Sequence, residues 1–166
     1  MNRNASFLFF LFLLAQVLVS YLFQTGPWCV LTLLPAMIFC LPAGRSTLHL
    51  MAVAFLSGLA VDFFADGIVG LNAFSLVPVA LVRRFLLVRV FNEELVSRGE
   101  SISWRKWGLA RIFGCALVVT ALFLLLYVTV DAAGERSFWA CLSTFACSLP
   151  ADLLLSVPVL LAFLEK

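Results

Sequence analysis

"GLAVDFFADGIVGLNAF", residues 58–74, sets two aspartates and three glycines in a chain otherwise dominated by leucine, phenylalanine and valine. Gly58, Asp62 and Asp66 recur every four residues, which puts them on one face of a helix. Two ionised carboxylates one turn apart repel each other when desolvated. The arrangement that relieves this leaves Asp66, beside Gly67, in a wet outer turn and points Asp62 inward. There Asp62 can accept hydrogen bonds from Asn72 or from the amides that open the next helix, whose positive dipole end lies close by. Gly58 and Gly70 are small enough to let two helix backbones approach. The stretch reads as a joint between two helices rather than a transport or binding site, since no second buried charge nearby completes a proton relay.

The composition around it decides the solvent. Of the 166 residues, 64% are hydrophobic and only 12% charged, and the mean hydropathy is +1.12. Soluble domains run at roughly 45–50% apolar and about 25% charged. A chain this apolar needs a lipid-facing exterior, because in water it would expose large apolar patches. Runs such as "FLFFLFLLA" and "ALVVTALFLLLYV" do not alternate, so the spans are helices and not barrel strands. The fold expected is an all-α integral membrane protein, a six-transmembrane-helix bundle forming a single membrane domain over 1–166. Its spans lie at about 5–23, 28–41, 48–64, 68–90, 107–130 and 138–164, with a cytoplasmic loop at about 91–106.

Charge sets the orientation. With the amino terminus inside, all of the 11 basic residues except Arg136 fall on the inner side, which is the positive-inside pattern. Both termini are then cytoplasmic. Tyr21, Trp28, Tyr127 and Trp139 fall at outer ends and Trp104 and Trp107 at an inner end, as an aromatic belt requires. The inner stretch from Arg83 to Arg111 carries seven basic residues against Glu93, Glu94 and Glu100. Arg83, Arg84, Arg89, Arg105 and Lys106 thus read as a cytoplasmic basic surface, resting on anionic lipid headgroups or docking a partner.

No catalytic or metal-binding pattern accompanies these features, and no cofactor or nucleic-acid partner is expected. The chain has no Gly-rich phosphate loop, no GxSxG and no HExxH. Its five cysteines lack metal-ligand spacing and read as packing residues. The single His49 cannot build a metal site and suits an interfacial or capping role. Asp152 stands out in the sixth span, between Pro150 and Pro158. "SLPAD" there resembles a helix start, so the span is either continuous or broken near Pro150.

The opening stretch also carries a resemblance. "AFLSGLAVDFFADGIVGLNAF", preceded by "LPAGRSTLHL" and followed by "RRFLL", resembles the membrane signature of the rod shape-determining protein MreD family. That signature is a Gly-Leu-x-x-Asp segment, a small-residue turn and a Gly-Leu-(His/Asn)-Ala segment. The matching positions are Gly58, Leu59, Asp62, Gly70, Leu71, Asn72 and Ala73, within about residues 42 to 90. The resemblance implies a non-enzymatic inner-membrane subunit of the bacterial cell-elongation complex, regulating cell shape through peptidoglycan synthesis. Implied partners are a bitopic MreC-type protein and, through it, MreB filaments, the synthase RodA and a penicillin-binding transpeptidase. Gly58, Asp62, Gly70, Asn72 and Asp152 become candidate structural or partner-binding residues, with Gly108 and Gly114 as further points of close approach.

The MreD fold is similar to that of the substrate-capture subunits of energy-coupling-factor transporters, which supplies the alternative function. A vitamin-capture subunit would need an outer pocket, for which this chain offers Asp62, Asp66, Asn72, Asp131, Trp28 and Trp139.

Overall fold

Apolar runs punctuated by glycine, proline and short polar turns fold into helices throughout. The computed structural model describes residues 3–22, 29–66, 69–91, 107–133 and 136–163, and every regular element among them is helical. In chain order these are α1 (Arg3–Leu22), α2 (Leu34–Cys40), α3 (Thr47–Val61), a π-helical turn (Asp62–Asp66), α4 (Leu71–Phe91), α5 (Leu109–Ala132) and α6 (Phe138–Phe163). Three stretches are long and apolar enough to cross a membrane, Thr47–Phe64, Leu109–Ala132 and Phe138–Phe163, while the apolar helix Ser6–Leu22 is shorter. This is the architecture of a membrane protein.

Side-chain neighbours give the direction of each element. Ser6 and Phe9 of α1 share a cleft with His49 and Val53 of α3, whereas Leu14 and Tyr21 share another with Phe64 beyond α3. The two helices therefore run parallel. Helix α4 returns antiparallel to α3, and Phe91 at its end stacks edge-on with Trp107 before α5, ring centroids 5.4 Å apart. Arg136 pairs with Asp131 at 3.0 Å across the turn from α5 to α6. Phe163 closes α6 against Phe12 of α1 at 5.8 Å.

Parallel α1 and α3 oblige the chain to travel back along the bundle between them, and here the expected second span is corrected. Instead of a helix over 28–41, residues 29–33 are non-helical and only Leu34–Cys40 is helical. Residues 29–32 at extended length cover about 13 Å, and Leu33, whose backbone is already helical, adds with the seven residues of α2 about 12 Å, together most of the roughly 30 Å of a bilayer core. Hydropathy cannot distinguish such a mixed segment from a helix. Pro35, in the first turn of α2, is the local reason that the helix starts there: it brings no N–H that would need a partner.

α2 is the centre of the molecule. Residues Leu34 to Phe39 are all buried, and the apolar core gathers around Met37, Ile38 and Phe39 with Leu76, Val79, Phe123 and Val159 from the surrounding helices. The exterior is just as apolar, with Phe7, Leu14, Phe55, Phe85 and Leu154 exposed. The sixth span is continuous, passing through both Pro150 and Pro158.

Candidate functional site

The joint read from residues 58–74 exists, and its geometry is specific. A Cβ added to Gly58 would lie 2.6 Å from both the Cα and the N of Ala73, so α3 and α4 touch backbone to backbone. That approach carries Asp62, fully buried at 0% exposure, to the start of α4. Its Oδ1 accepts from Asn72 N–H and Asn72 Nδ2, both at 2.9 Å. Its Oδ2 accepts from Gly70 N–H at 2.9 Å and Ala73 N–H at 3.2 Å. The first amides of a helix have no partner inside it, and the positive end of the helix dipole favours the anion placed there.

Gly70 has a different task from the one expected. Among the described residues nothing lies within 4 Å of the position its Cβ would occupy, but its φ is +102°, a backbone conformation suited to glycine. It turns the chain so that its own amide faces Asp62, and does not bring helices together. Gly108 and Gly114 also have open space where a Cβ would be, so neither marks a close approach among the described residues. The side chain of Asp66, expected in the wet turn, lies outside the described residues.

This geometry gives a direct prediction for Gly58. Gly58→Ala forces backbone apart and should cost about 1–3 kcal/mol, the usual range for overpacking. Because the clash is with the backbone of Ala73, the double variant Gly58→Ala with Ala73→Gly should recover little. Melting temperatures of the two variants in detergent check this, and full recovery in the double variant would disprove the backbone contact.

A second polar seam holds the non-helical segment 29–33. Val30 N–H donates to Ser148 Oγ at 2.8 Å and Thr32 N–H to Asp152 Oδ1 at 2.8 Å. Leu33 N–H donates to Gln16 Oε1 at 2.6 Å, and Gln16 Nε2 donates to the Leu31 carbonyl at 3.2 Å. Leu34 N–H donates to Thr32 Oγ1 at 3.3 Å. Side chains thus do here what a neighbouring strand would do in a sheet. The match is metric: two residues of extended chain advance about 6.6 Å, and four residues of helix about 6 Å. Ser148 and Asp152, four apart on α6, therefore meet Val30 and Thr32, two apart on the segment.

Thr144, Ser148, Asp152 and Ser156 are all buried and repeat at that four-residue spacing, a stripe visible in the sequence and missed there. Gln16 was missed as well, although it is the one amide side chain inside the first apolar run. Asp152 is 1% exposed, and its Oδ2 has no hydrogen-bond partner among the described residues. Its place is a structural one on a continuous helix, since Ser148, expected near a helix start, serves Val30 instead.

Arg83 corrects the expected basic surface. It is 2% exposed, with its Nε donating to the Phe39 carbonyl at 3.0 Å and its Nη2 donating to the Leu41 carbonyl. It closes the carboxyl end of α2, where a cation complements the dipole. α2 accordingly has Asp152 and Gln16 before its amino end and Arg83 at its carboxyl end. Arg84 and Arg89 are exposed as expected, Arg84 Nη1 reaching Thr47 Oγ1 at 2.8 Å. Arg105 and Lys106 lie outside the described residues.

Among the described residues, those offered for an outer vitamin pocket pair with one another or with other partners, and the side chain of Asp66 is not described. Asp62 and Asn72 bond to each other, Asp131 pairs with Arg136, Trp139 is exposed beside Phe138, and Trp28 lies outside the described residues. Among the described residues no cluster of three metal-ligating side chains occurs. Set against protein-family models, curated proteins and solved structures, the chain matches none of them.

Proposed function

We propose that this chain is a non-enzymatic, multi-pass subunit of the bacterial cell-elongation machinery, of the MreD kind. It crosses the cytoplasmic membrane six times with both termini inside, in a bundle similar to the substrate-capture subunits of energy-coupling-factor transporters. The orientation draws support from the described charges. Arg45, Arg84, Arg89 and Arg111 stand at the end where α1, α3 and α5 begin, and Arg136 at the other.

The observation that carries the functional reading is the joint itself. Gly58, Asp62, Gly70, Asn72 and Ala73, five of the seven positions on which the resemblance rests, form one connected unit that fixes α3 on α4. All of the hydrogen-bonding capacity of the Asp62 carboxylate that this unit uses goes into backbone and Asn72. Such a residue shapes a surface and leaves no group free to react. The protein acts, in this reading, by presenting helix faces to an MreC-type partner, and through it to MreB, RodA and a penicillin-binding transpeptidase.

Affinity purification from detergent-solubilised membranes tests the proposal. An MreC-type bitopic protein should co-elute with the tagged chain. Co-elution with an ATPase module and a retained vitamin would instead identify a substrate-capture subunit.

A further inference from the structure

The seam between α1 and α3 opens into a cleft of about 310 Å³ at the end where both helices begin. Its polar wall is Ser6, Arg45 and His49, and its apolar wall includes Phe9, Leu50 and Val53. Arg45 Nη1 lies 3.4 Å from His49 Nε2, so a guanidinium and an imidazole converge on one side of the opening. His49 is held in place by its own N–H, which donates to Ser46 Oγ at 3.3 Å. Among the described residues no carboxylate lines the cleft, and Arg45 forms no ion pair. Arg84, anchored on Thr47 one turn away, adds positive charge to the same end.

A planar guanidinium with no ion-pair partner among the described residues, beside an imidazole and a hydroxyl, is suited to the oxygens of a phosphate. The apolar wall suits an apolar moiety attached to that phosphate, which would cover the half-buried Phe9 and Val53. Along the same seam, Leu14, Val17, Leu18, Tyr21 and Phe64 line a second cleft of about 300 Å³, so the apolar path continues toward the far end of both helices. A zwitterionic headgroup would bring an ammonium that no carboxylate among the described lining residues meets.

We infer that the α1–α3 seam is a binding site for an anionic phospholipid, with its phosphate on Arg45, His49 and Ser6 and one acyl chain lying along the helices toward Phe64. Basic pockets between transmembrane helices on the cytoplasmic side recognise such headgroups. The site rests on the chain being embedded in a membrane, and not on its role in cell elongation.

Native mass spectrometry of the delipidated protein tests the site, with phosphatidylglycerol, phosphatidylcholine and inorganic phosphate as probes. Phosphatidylglycerol should be retained in preference to phosphatidylcholine. The double variant Arg45→Ala, His49→Gln should lower that retention by about fivefold or more, while Arg111→Ala, exposed on α5 outside the cleft, should leave it unchanged. Val53→Trp, which fills the apolar wall and keeps both donors, should also lower it, and decides the matter should the charge variant unfold. Equal retention of the two lipids, an equal loss in Arg111→Ala, or displacement of the lipid by millimolar inorganic phosphate would overturn the assignment.

Discussion

Asp62→Ala should remove a large part of the stability of the protein. The substitution leaves the amides of Gly70, Asn72 and Ala73 and the side-chain amide of Asn72 without their acceptor. Each buried donor left unpaired costs about 1–3 kcal/mol. Some of that is recovered by local relaxation, so a total of about 3–6 kcal/mol is expected, against the 5–15 kcal/mol that ordinarily separates folded from unfolded states. Asp62→Asn keeps one acceptor oxygen and places an NH₂ where the other stood, so it should fall between wild type and alanine. Thermal unfolding followed by fluorescence-detected size exclusion measures the order. An alanine variant as stable as wild type would mean that the joint is not held through its carboxylate.

Arg83→Met should have the next largest effect. Methionine fills much of the same space, but it donates nothing to the carbonyls of Phe39 and Leu41 at the end of α2. Those bonds come from a charged donor, and such hydrogen bonds contribute about 1.5–3 kcal/mol each. The opposing term is the cost of burying the guanidinium, which methionine avoids. The net loss expected is about 2–4 kcal/mol. Arg83→Lys keeps a donor and a charge but lacks the fork that reaches both carbonyls, so it should recover roughly half. Arg84→Met, one residue along and exposed, should change the melting temperature little. If the two methionine variants behave alike, Arg83 is surface charge after all.

The contrast between these two residues shows what the sequence made legible. Asp62 could be placed because its environment is local: Gly58 one turn before it and Asn72 ten residues after it lie in one short hairpin. Arg83 could not, because its partners are 42 and 44 residues away on a segment that hydropathy assigns to a helix. Ordinarily the phase of an amphipathic helix would have separated Arg83 from Arg84. Here Arg83 shares a buried stripe with Leu76, Ala80, Leu87 and Phe91, but the opposite face carries Phe74, Leu81 and Phe85. A helix apolar on both sides gives no phase.

The same argument explains the non-helical segment. "CVLTL" is as apolar as the helices on either side, and only Thr32 and the following Pro35 hint at a departure. What makes the departure tolerable lies far along the chain, in Ser148 and Asp152 on α6 and in Gln16 on α1. Non-helical backbone at membrane depth is permitted where protein supplies its hydrogen bonds. The four-residue repeat of Thr144, Ser148, Asp152 and Ser156 was the available signal. It is a polar stripe on a lipid-soluble helix, and such a stripe needs a polar partner.

These seams give the bundle its unusual centre, a short helix fixed at both ends by side chains from its neighbours. They also leave the outer faces of the helices free of structural duty, as a subunit that works by docking other membrane proteins requires. The most direct measurement of the proposed role is cell shape after depletion of this chain in the cells that encode it. Rods should widen and round up, and should be restored by the wild-type chain but not by Asp62→Ala. Cells that keep their width and length while the chain is absent would contradict the account.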